Sequence, residues 1–247
     1  MTTSLRASAP LETADVETSS EEYAGRFAGA VGAWFLAIQT AATLELLAPH
    51  RPSTVLDVGG GHGQVTGPLL EHGYRVTVLG SADACRRGIQ RFLDAGGCTF
   101  QTGDLLALPY PDRQFDVVLS YRLLPHVTRW RCFLRELGRV ARRTVLLDYP
   151  VRSSLNCLAP WLFGLKKRVE GNTRTFALFD ERDVVRVLAP DSFAPVGRRP
   201  QFFLPMALHR ALGAPRLSAG AEHVARRLGL TRAFGSPVIL RLDRRGA

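Results

Sequence analysis

The chain has 247 residues, of which 46% are hydrophobic and 22% charged, values typical of a globular protein that can bury one sizeable core. Its formal net charge of +10 would suit a nucleic-acid or membrane-surface partner, but only two of its 32 basic residues are lysines, and the arginines are spread from Arg6 to Arg245. No basic stretch carries interleaved aromatic residues, so a nucleic-acid partner is not favoured.

The four cysteines are scattered along the chain, with no Cys-x-x-Cys pair and no histidine at ligand spacing. This pattern disfavours a zinc site and a disulfide framework, so we expect no metal and a reducing, cytoplasmic location. No apolar core of a signal peptide follows a basic start.

The first twenty residues are rich in Ser, Thr and acids and are predicted to form a mobile tail. Residues 21–48 are predicted to form an N-terminal helix, with Ser19 or Ser20 as its cap and glutamates in its first turn. The stretch from Phe27 to Ala48 is long and mostly apolar, but four polar residues interrupt it. A helix packed on the domain is therefore favoured over a membrane span.

Strand-like and helix-like segments then alternate. The predicted strands are STVLDV, RVTVL, CTFQTGD, FDVVLS and TVLLDY, and the helices between them are GQVTGPLLEHG, ADACRRGIQRFLDAGG and WRCFLRELGRVARR. The Val and Leu runs lack polar alternation, which indicates strands buried on both faces of a parallel sheet. Strands alternating with helices predict a doubly wound, Rossmann-like α/β fold with helices on both faces.

After Pro150 the pattern predicts a helix broken at Pro160, a capped helix from Asp180, and two strands, FAPVGRRPQFFLP and SPVILRLDR, with two helices between them. The predicted sheet thus has seven strands, mostly parallel, with the last one antiparallel. We expect residues 21–247 to form a single domain, in which the insertion over about 150–235 and the N-terminal helix build an acceptor pocket.

The glycine loop Asp57-Val58-Gly59-Gly60-Gly61-His62-Gly63 follows the first strand and matches D-x-G-x-G-x-G. Glycine permits a positive φ and lets a ligand touch main chain that a Cβ would block. A dinucleotide fold uses G-x-G-x-x-G, whereas here the third glycine comes one residue early. The pattern resembles motif I of the class I S-adenosylmethionine (SAM)-dependent methyltransferases.

The resemblance covers about Tyr23 to Tyr149 and continues more weakly to the end of the chain. It implies SAM as the cofactor and a methyltransferase activity. In the family, an acid after the third strand, here Asp104, binds the adenine amino group, and Leu105 lies against the ring. The cofactor-binding residues implied or favoured in this way are Asp57, Gly59, Gly61, Gly63, Ser81, Asp104, Leu105, Ser120, Tyr23 and Arg26.

One position departs from the family pattern. The second strand usually ends in an acid that binds the ribose hydroxyls, and in this chain that position is Gly80, followed by Ser81. Losing a charge-assisted hydrogen bond costs on the order of 1–3 kcal/mol of affinity. Either Ser81 or backbone groups replace the acid, or SAM binding is weakened.

His126 follows the fourth strand and is a candidate general base, because its pKa lies near neutrality. Tyr121 is the second candidate catalytic residue, and with Arg122 it follows the fourth strand directly. A structural role remains open for each of them. Asp148 and Tyr149, at the end of the fifth strand, share this ambiguity.

Apolar residues are concentrated in the segments expected to build the acceptor pocket: Phe27, Trp34, Phe35, Leu155, Leu158, Trp161, Leu162, Phe163, Phe202, Phe203, Leu204 and Met206. They favour a hydrophobic small-molecule acceptor, aromatic, polyketide-like or isoprenoid, as in the quinone-biosynthesis C- and O-methyltransferases that the chain resembles. Peripheral membrane contact through LKKR and RRPQFFLP stays open. Two alternatives also remain: a SAM-fold binding or scaffold protein, and an RNA methyltransferase.

Overall fold

The computed structural model describes residues 11–50, 53–154 and 176–246. Its centre is one seven-stranded sheet with the strand order β3-β2-β1-β4-β5-β7-β6. The strands β1 to β7 are Thr54–Val58, Arg75–Gly80, Cys98–Thr102, Phe115–Ser120, Ala141–Tyr149, Phe193–Phe202 and Ser236–Arg244. The first five are parallel, and β7 lies antiparallel between β5 and β6. The predicted fold class is confirmed.

Both faces of the sheet are buried, as the unbroken apolar runs predict. Val55 of β1 belongs to one apolar cluster and Leu56, the next residue, to another. Successive side chains of a strand point to opposite faces, so the two clusters cover the two sides of the sheet. Both side chains are completely inaccessible to solvent.

The helices are short apart from three of them. In chain order, α1 to α10 are Ala14–Thr18, Glu21–Gly25, Gly29–Leu47, Thr66–Glu71, Gln90–Asp94, Trp130–Val140, Glu181–Leu188, Met206–Leu212, Pro215–Arg227 and Leu230–Phe234. Two predicted helices differ in detail. The segment 82–97 is a 3-10 turn over Asp83–Ile89 followed by α5, and α6 ends at Val140, where β5 begins.

The predicted helix over 21–48 is two helices, α2 and α3. Gly29 has a φ of +71°, which ends the helical path between them. The carbonyl oxygen of Phe27 lies 2.0 Å from the position of a Cβ on Gly32, so the chain folds back onto that glycine. Ser20 caps α2 by accepting the backbone N–H of Tyr23, as expected.

By length and composition alone, Gly29–His50 is the one helical stretch in the described ranges that is apolar enough to cross a membrane. In the fold it packs on the domain through one stripe, namely Val31, Gly32, Phe35, Gln39, Thr43, Leu46 and Leu47. The spacing of three to four residues is that of one helix face. Two of the polar residues that interrupt the apolar stretch, Gln39 and Thr43, lie in this stripe and are buried.

The N-terminal segment is not a free tail over the part that the structure describes. Helix α1 packs against the glycine loop, with Asp15 completely buried and Ala14 in the same apolar cluster as Leu105. Glu12 accepts the backbone N–H of Thr128, beyond β4. The prediction of a mobile tail is therefore wrong for residues 12–18. The helix predicted around Pro160, the LKKR stretch and residues 1–10 lie outside the described residues.

Candidate functional site

The glycine loop lies where the strand order of the sheet reverses. From β1 the chain proceeds to β2 on one side, whereas β4 pairs with β1 on the other. In open α/β sheets, ligands bind at such a switch point, beyond the carboxyl ends of the strands. Gly59 and Gly63 have φ values of +78° and +69° and flank a 3-10 turn over Gly60–His62. Two of the three predicted glycines, Gly59 and Gly63, thus have the left-handed conformation that glycine adopts without strain.

Parts of the chain lie directly on the loop. A Cβ on Gly61 would come within 2.1 Å of the Cys85 carbonyl oxygen and 2.6 Å of the Ser19 hydroxyl. A Cβ on Gly59 would meet the Leu123 side chain at 2.5 Å and the Asp15 side chain at 3.5 Å. Residues of the N-terminal segment therefore contact the surface that the sequence assigns to a ligand. A ligand that touches these glycines has to displace that segment.

Asp57, at the end of β1, is a buried carboxyl group with its bonding capacity unused. It is 0% exposed, and neither carboxyl oxygen has a hydrogen-bond partner among the described residues. Burial raises the pKa of Asp57 from 3.8 to about 7, because the charged form is poorly solvated there. A cationic group that reached this carboxylate would restore its charge.

Arg122 follows β4 with a φ of +61°, an uncommon conformation for a non-glycine residue. Its backbone N–H donates to Asp148 Oδ1 at 2.6 Å, and its guanidinium donates to Gln39 Oε1 on α3. Arg122 Nη1 and Gln39 Nε2 are buried donors without a partner in the described part of the chain. Arg122 Nη1 shares its carbon with Nη2, which donates to Gln39, and Gln39 Nε2 shares its carbon with the accepting Oε1. The two unused donors therefore lie in the same small region.

Asp148 and His62 belong with Arg122 and Gln39 to one group of buried polar residues, the polar group around Arg122. Burial raises the pKa of Asp148 to about 6, and the Arg122 backbone and charge oppose that rise. Burial lowers the pKa of His62 to about 3, so its imidazole is neutral at physiological pH. His62 Nδ1 accepts the Gln64 backbone N–H, which leaves the proton on Nε2, a third buried donor that no described residue accepts from.

Two predicted residues at the end of β4 are occupied by internal hydrogen bonds. Tyr121 is 0% exposed, and its hydroxyl lies 2.8 Å from Thr43 Oγ1 on α3. Burial raises the pKa of Tyr121 well above 10, so the phenol stays neutral. Ser120 donates its hydroxyl to the Val58 carbonyl at 2.9 Å, across the β1–β4 pair. These contacts favour packing roles, and the predicted catalytic role of Tyr121 and cofactor role of Ser120 stay predictions.

Asp15 brings a carboxylate to the end of β2, the position at which the sequence lacks an acid. Its Oδ2 accepts the Ser81 backbone N–H at 2.6 Å and the Cys85 thiol at 3.3 Å, and its Oδ1 accepts the Ser81 hydroxyl. Burial and the Asp15 charge raise the pKa of Cys85 to about 11, which keeps the thiol protonated as a donor. Nothing in the sequence marks Asp15, because its partner Ser81 lies 66 positions away.

The remaining predicted residues lie around this centre. Asp104 accepts the Leu106 backbone N–H at 2.8 Å, and Leu105 is fully buried in the apolar cluster that also contains Ala14. Tyr23 is buried, and burial raises its pKa, with the Arg122 charge opposing the rise. Arg26 is exposed, with its guanidinium 4.8 Å from the Tyr23 ring centroid. The ring of His126 lies 5.7 Å from that of Phe176.

Five of the apolar residues predicted for the acceptor pocket come together, whereas Phe203 and Leu204 are half-buried and lie outside the cluster they form. Phe35 and Phe202 form a third apolar cluster, against which Phe27, Trp34 and Met206 pack. This cluster joins α3 to β6 and α8. Phe27 also lies over the Arg122 guanidinium, with a distance of 3.8 Å from Cζ to the ring centroid. The predicted residues Leu155, Leu158, Trp161, Leu162 and Phe163 lie outside the described residues.

A separate groove of about 450 Å³ opens at the far edge of the sheet, beside α3 and β6. Ile38, Gln201, Arg226 and Thr231 are among the residues that line it. Because β4, β5 and β7 separate β6 from β1, this groove does not include the glycine loop.

Comparison with known proteins identifies the central part of the chain. Residues 56–147 match the family described as "Methyltransferase domain". Norajmaline N-methyltransferase from Rauvolfia serpentina is 31% identical over 152 residues, covering 56% of this chain and 51% of that protein. Demethylmenaquinone methyltransferase from Deinococcus radiodurans is 34% identical over 122 residues, 46% of this chain and 50% of that one. The chain thus spans about half the length of the curated relatives it matches.

The fold of the chain is also similar to that of solved methyltransferases. Magnesium protoporphyrin IX methyltransferase from Synechocystis PCC 6803, solved with bound S-adenosylhomocysteine (SAH), superposes with a TM-score of 0.64 at 15% identity, covering 92% of this chain and 97% of that one. At this identity the likeness concerns the fold. The domain match over residues 56–147 and the relatives named methyltransferases support a class I SAM-dependent methyltransferase domain in the central part of the chain. The structural neighbour with bound SAH is consistent with SAM as the cofactor.

Proposed function

We propose that the protein transfers a methyl group from SAM to an oxygen or carbon atom of a hydrophobic small molecule, with an aromatic, isoprenoid or polyketide-like skeleton. One observation carries the proposal: Phe27 joins the apolar cluster of Phe35 and Phe202 to the polar group around Arg122. An apolar surface thus meets unused buried hydrogen-bonding groups beside the glycine loop. Pockets for small molecules combine these two features.

The residues around the loop fit the amino-acid end of SAM. Asp57 offers two unused acceptor oxygens, which suit an ammonium group. Arg122 Nη1, Gln39 Nε2 and His62 Nε2 offer unused donors, which suit a carboxylate. Each of these atoms is buried without a partner in the described ranges, and such atoms cost free energy until a ligand pairs with them. When bound, SAM supplies a methyl group on a positively charged sulfur.

The chain's own residues then orient the acceptor and move its proton. Orientation of the acceptor atom in line with the methyl–sulfur bond can contribute up to roughly 7–11 kcal/mol. His126 follows β4 and is our candidate to take a proton from a hydroxyl or acidic carbon. The named relatives act on norajmaline and on demethylmenaquinone, and such ring systems have the apolar character that the Phe27–Phe35–Phe202 cluster would accommodate.

A second candidate function is binding without methyl transfer. It is favoured by Gly80, which leaves β2 without an acid, and by the contact of the N-terminal segment with the glycine loop. An RNA methyltransferase is supported only by the net charge of +10. Steep salt dependence of RNA binding would favour that function.

The test begins with calorimetric titration of the full chain with SAM and with SAH. The protein is then incubated with SAM and a panel of apolar phenols, prenylated quinols and polyketide-like enols, and each acceptor is examined by mass spectrometry for the gain of one methyl group. Asp57→Asn serves as the control for cofactor-dependent transfer. Binding of SAH with methylation of one acceptor class supports the proposal. Binding without transfer to any acceptor favours the second candidate, and the absence of binding by folded protein overturns the proposed function.

A further inference from the structure

The carboxylate of Asp15 lies at the end of β2, where Ser81 and Cys85 donate hydrogen bonds to it. A charged group is unexpected at this buried position. Asp15 is 0% exposed and lies next to Ala14, whose neighbours in the core are apolar. Burying a carboxylate costs several kcal/mol unless it is paired and hydrogen-bonded. Ser81 and Cys85 supply three donors, but no cationic side chain bonds to Asp15 in the described residues.

The Asp15 carboxylate lies where related folds have an acidic residue that this chain lacks. In Rossmann-like folds, an acid about 20 residues beyond the glycine loop, at the end of the second strand, hydrogen-bonds a ribose hydroxyl of the ligand. Gly80 occupies that place in this chain. A Cβ on Gly80 would point at the Cys85 Cβ, 2.7 Å away, and the Cys85 thiol contacts Asp15 Oδ2. Asp15 therefore fills the region that an acid on Gly80 would reach.

The hydrogen bonds of Asp15 divide into one fixed and two movable donors. The Ser81 backbone N–H is fixed and holds Oδ2. The Ser81 hydroxyl and the Cys85 thiol are side-chain donors, which a change of rotamer can turn away, and they donate to different carboxylate oxygens. Two hydroxyl donors, one for each oxygen, are what the adjacent hydroxyls of a ribose present. The ribose can replace the movable donors while the backbone N–H keeps the carboxylate in place.

We infer that Asp15, on the N-terminal helix α1, is the acid that receives the ribose hydroxyls of SAM in place of the residue missing at Gly80. The inference rests on the proposed function, because it requires SAM at the glycine loop. It also gives α1 a role in cofactor binding: the helix opens to admit the ligand and closes with Asp15 on the ribose.

The test is a cycle of two proteins and two ligands, measured by calorimetry. Wild type and Asp15→Asn are each titrated with SAH and with 2′,3′-dideoxy-SAH, which lacks both hydroxyls. We expect Asp15→Asn to weaken SAH binding about 10- to 100-fold, as charge-assisted hydrogen bonds do, and to leave binding of the dideoxy ligand unchanged. Glu12→Gln is the matched control, since Glu12 anchors the same segment to Thr128 without reaching β2. It should bind both ligands as wild type does.

Three results would overturn the inference. Asp15→Asn that binds SAH as well as or better than wild type would show that the segment only competes with the cofactor. An equal loss for SAH and the dideoxy ligand would show that Asp15 only holds α1 in place. Wild type that binds neither ligand would overturn the proposed function as well. Thermal melting of each variant establishes that it is folded, and Asp15→Ala provides a second variant for the same cycle.

Discussion

Gly60 passes so close to Asp57 that a Cβ on the glycine would lie 2.0 Å from the Asp57 Cγ. The loop thus covers the buried carboxyl group with main chain alone. Motif spacing accounts for Gly59, Gly61 and Gly63, and this contact explains why the fourth residue, Gly60, is also a glycine. This contact is part of the burial that keeps water from Asp57 and raises its pKa.

Gly60→Ala should force either the loop or the Asp57 carboxyl group out of its present position, because the added Cβ would overlap that carboxyl group, which is buried and has little room to turn away. We expect a loss of about 1–3 kcal/mol in the free energy of unfolding and loss of SAH binding. Gly220→Ala is the control: Gly220 lies inside α9 with open space around its Cβ position, and alanine there should stabilise the helix by about 0.5–1 kcal/mol. Urea denaturation and calorimetry measure both effects. Unchanged SAH binding by Gly60→Ala would contradict the expectation.

Asp57→Asn should change how stability depends on pH. Burial raises the pKa of Asp57 from its ordinary 3.8 to about 7, so the favourable contribution of the neutral carboxyl group to stability is complete below about pH 4 and is lost as the pH rises through 7. Asparagine stays neutral at every pH. Its advantage over wild type should therefore grow between pH 4 and pH 7, toward a limit on the order of 4 kcal/mol, and stay constant above. Urea denaturation of both proteins at pH 4, 6 and 8 measures the difference in their free energies of unfolding. If that difference did not depend on pH, the raised pKa of Asp57 would be refuted. The same variant should bind SAM more weakly.

Tyr121→Phe tests a predicted catalytic residue that the fold buries. The variant loses the hydrogen bond to Thr43, which should cost about 0.5–1.5 kcal/mol of stability, while the ring keeps its packing. We expect kcat within a few-fold of wild type once an acceptor is found. Thr43→Val removes the same hydrogen bond from the other side together with the one to the Gln39 carbonyl, so it should lower stability by more and leave kcat as little changed. A large loss of kcat in Tyr121→Phe with little loss in Thr43→Val would instead assign the phenol to catalysis.

Glu222 and His209 form a buried hydrogen-bonded pair beside the third apolar cluster, with a separation of 3.0 Å between Oε1 and Nε2 and both side chains almost fully inaccessible. Glu222 also accepts the backbone N–H groups of Phe203 and Leu204, which fixes the turn after β6. Glu222→Ala should therefore cost about 3–5 kcal/mol, because it leaves three donors without their hydrogen-bond acceptor, each at a cost of about 1–3 kcal/mol when buried. His223→Ala, at the adjacent exposed position, should change stability by less than about 0.5 kcal/mol. Chemical denaturation compares the stabilities of Glu222→Ala and His223→Ala. Similar denaturation midpoints would refute the stabilising role of Glu222 at the turn after β6.

Local patterns carried most of the fold. The apolar runs of β1, β2, β4 and β5 and the glycines that follow β1 act within a few residues, so the α/β alternation and the ligand loop could be predicted from the sequence. The interruption at Gly29 was missed, because a single glycine in an apolar helical pattern does not distinguish a tolerated residue from a break. Only the positive φ of Gly29 in the folded chain shows which it is.

The sequence by itself determined the sheet, the switch point and Asp57 beside it, since these follow from periodicity and from residues adjacent in the chain. The tertiary structure alone decided which polar groups gather there. Arg122 meets Gln39 across 83 positions, and Asp15 meets Ser81 across 66. Such contacts depend on how α1 and α3 pack over the carboxyl ends of the strands. That packing is driven by non-directional burial of apolar surface, which leaves no local pattern around the polar residues that it brings together.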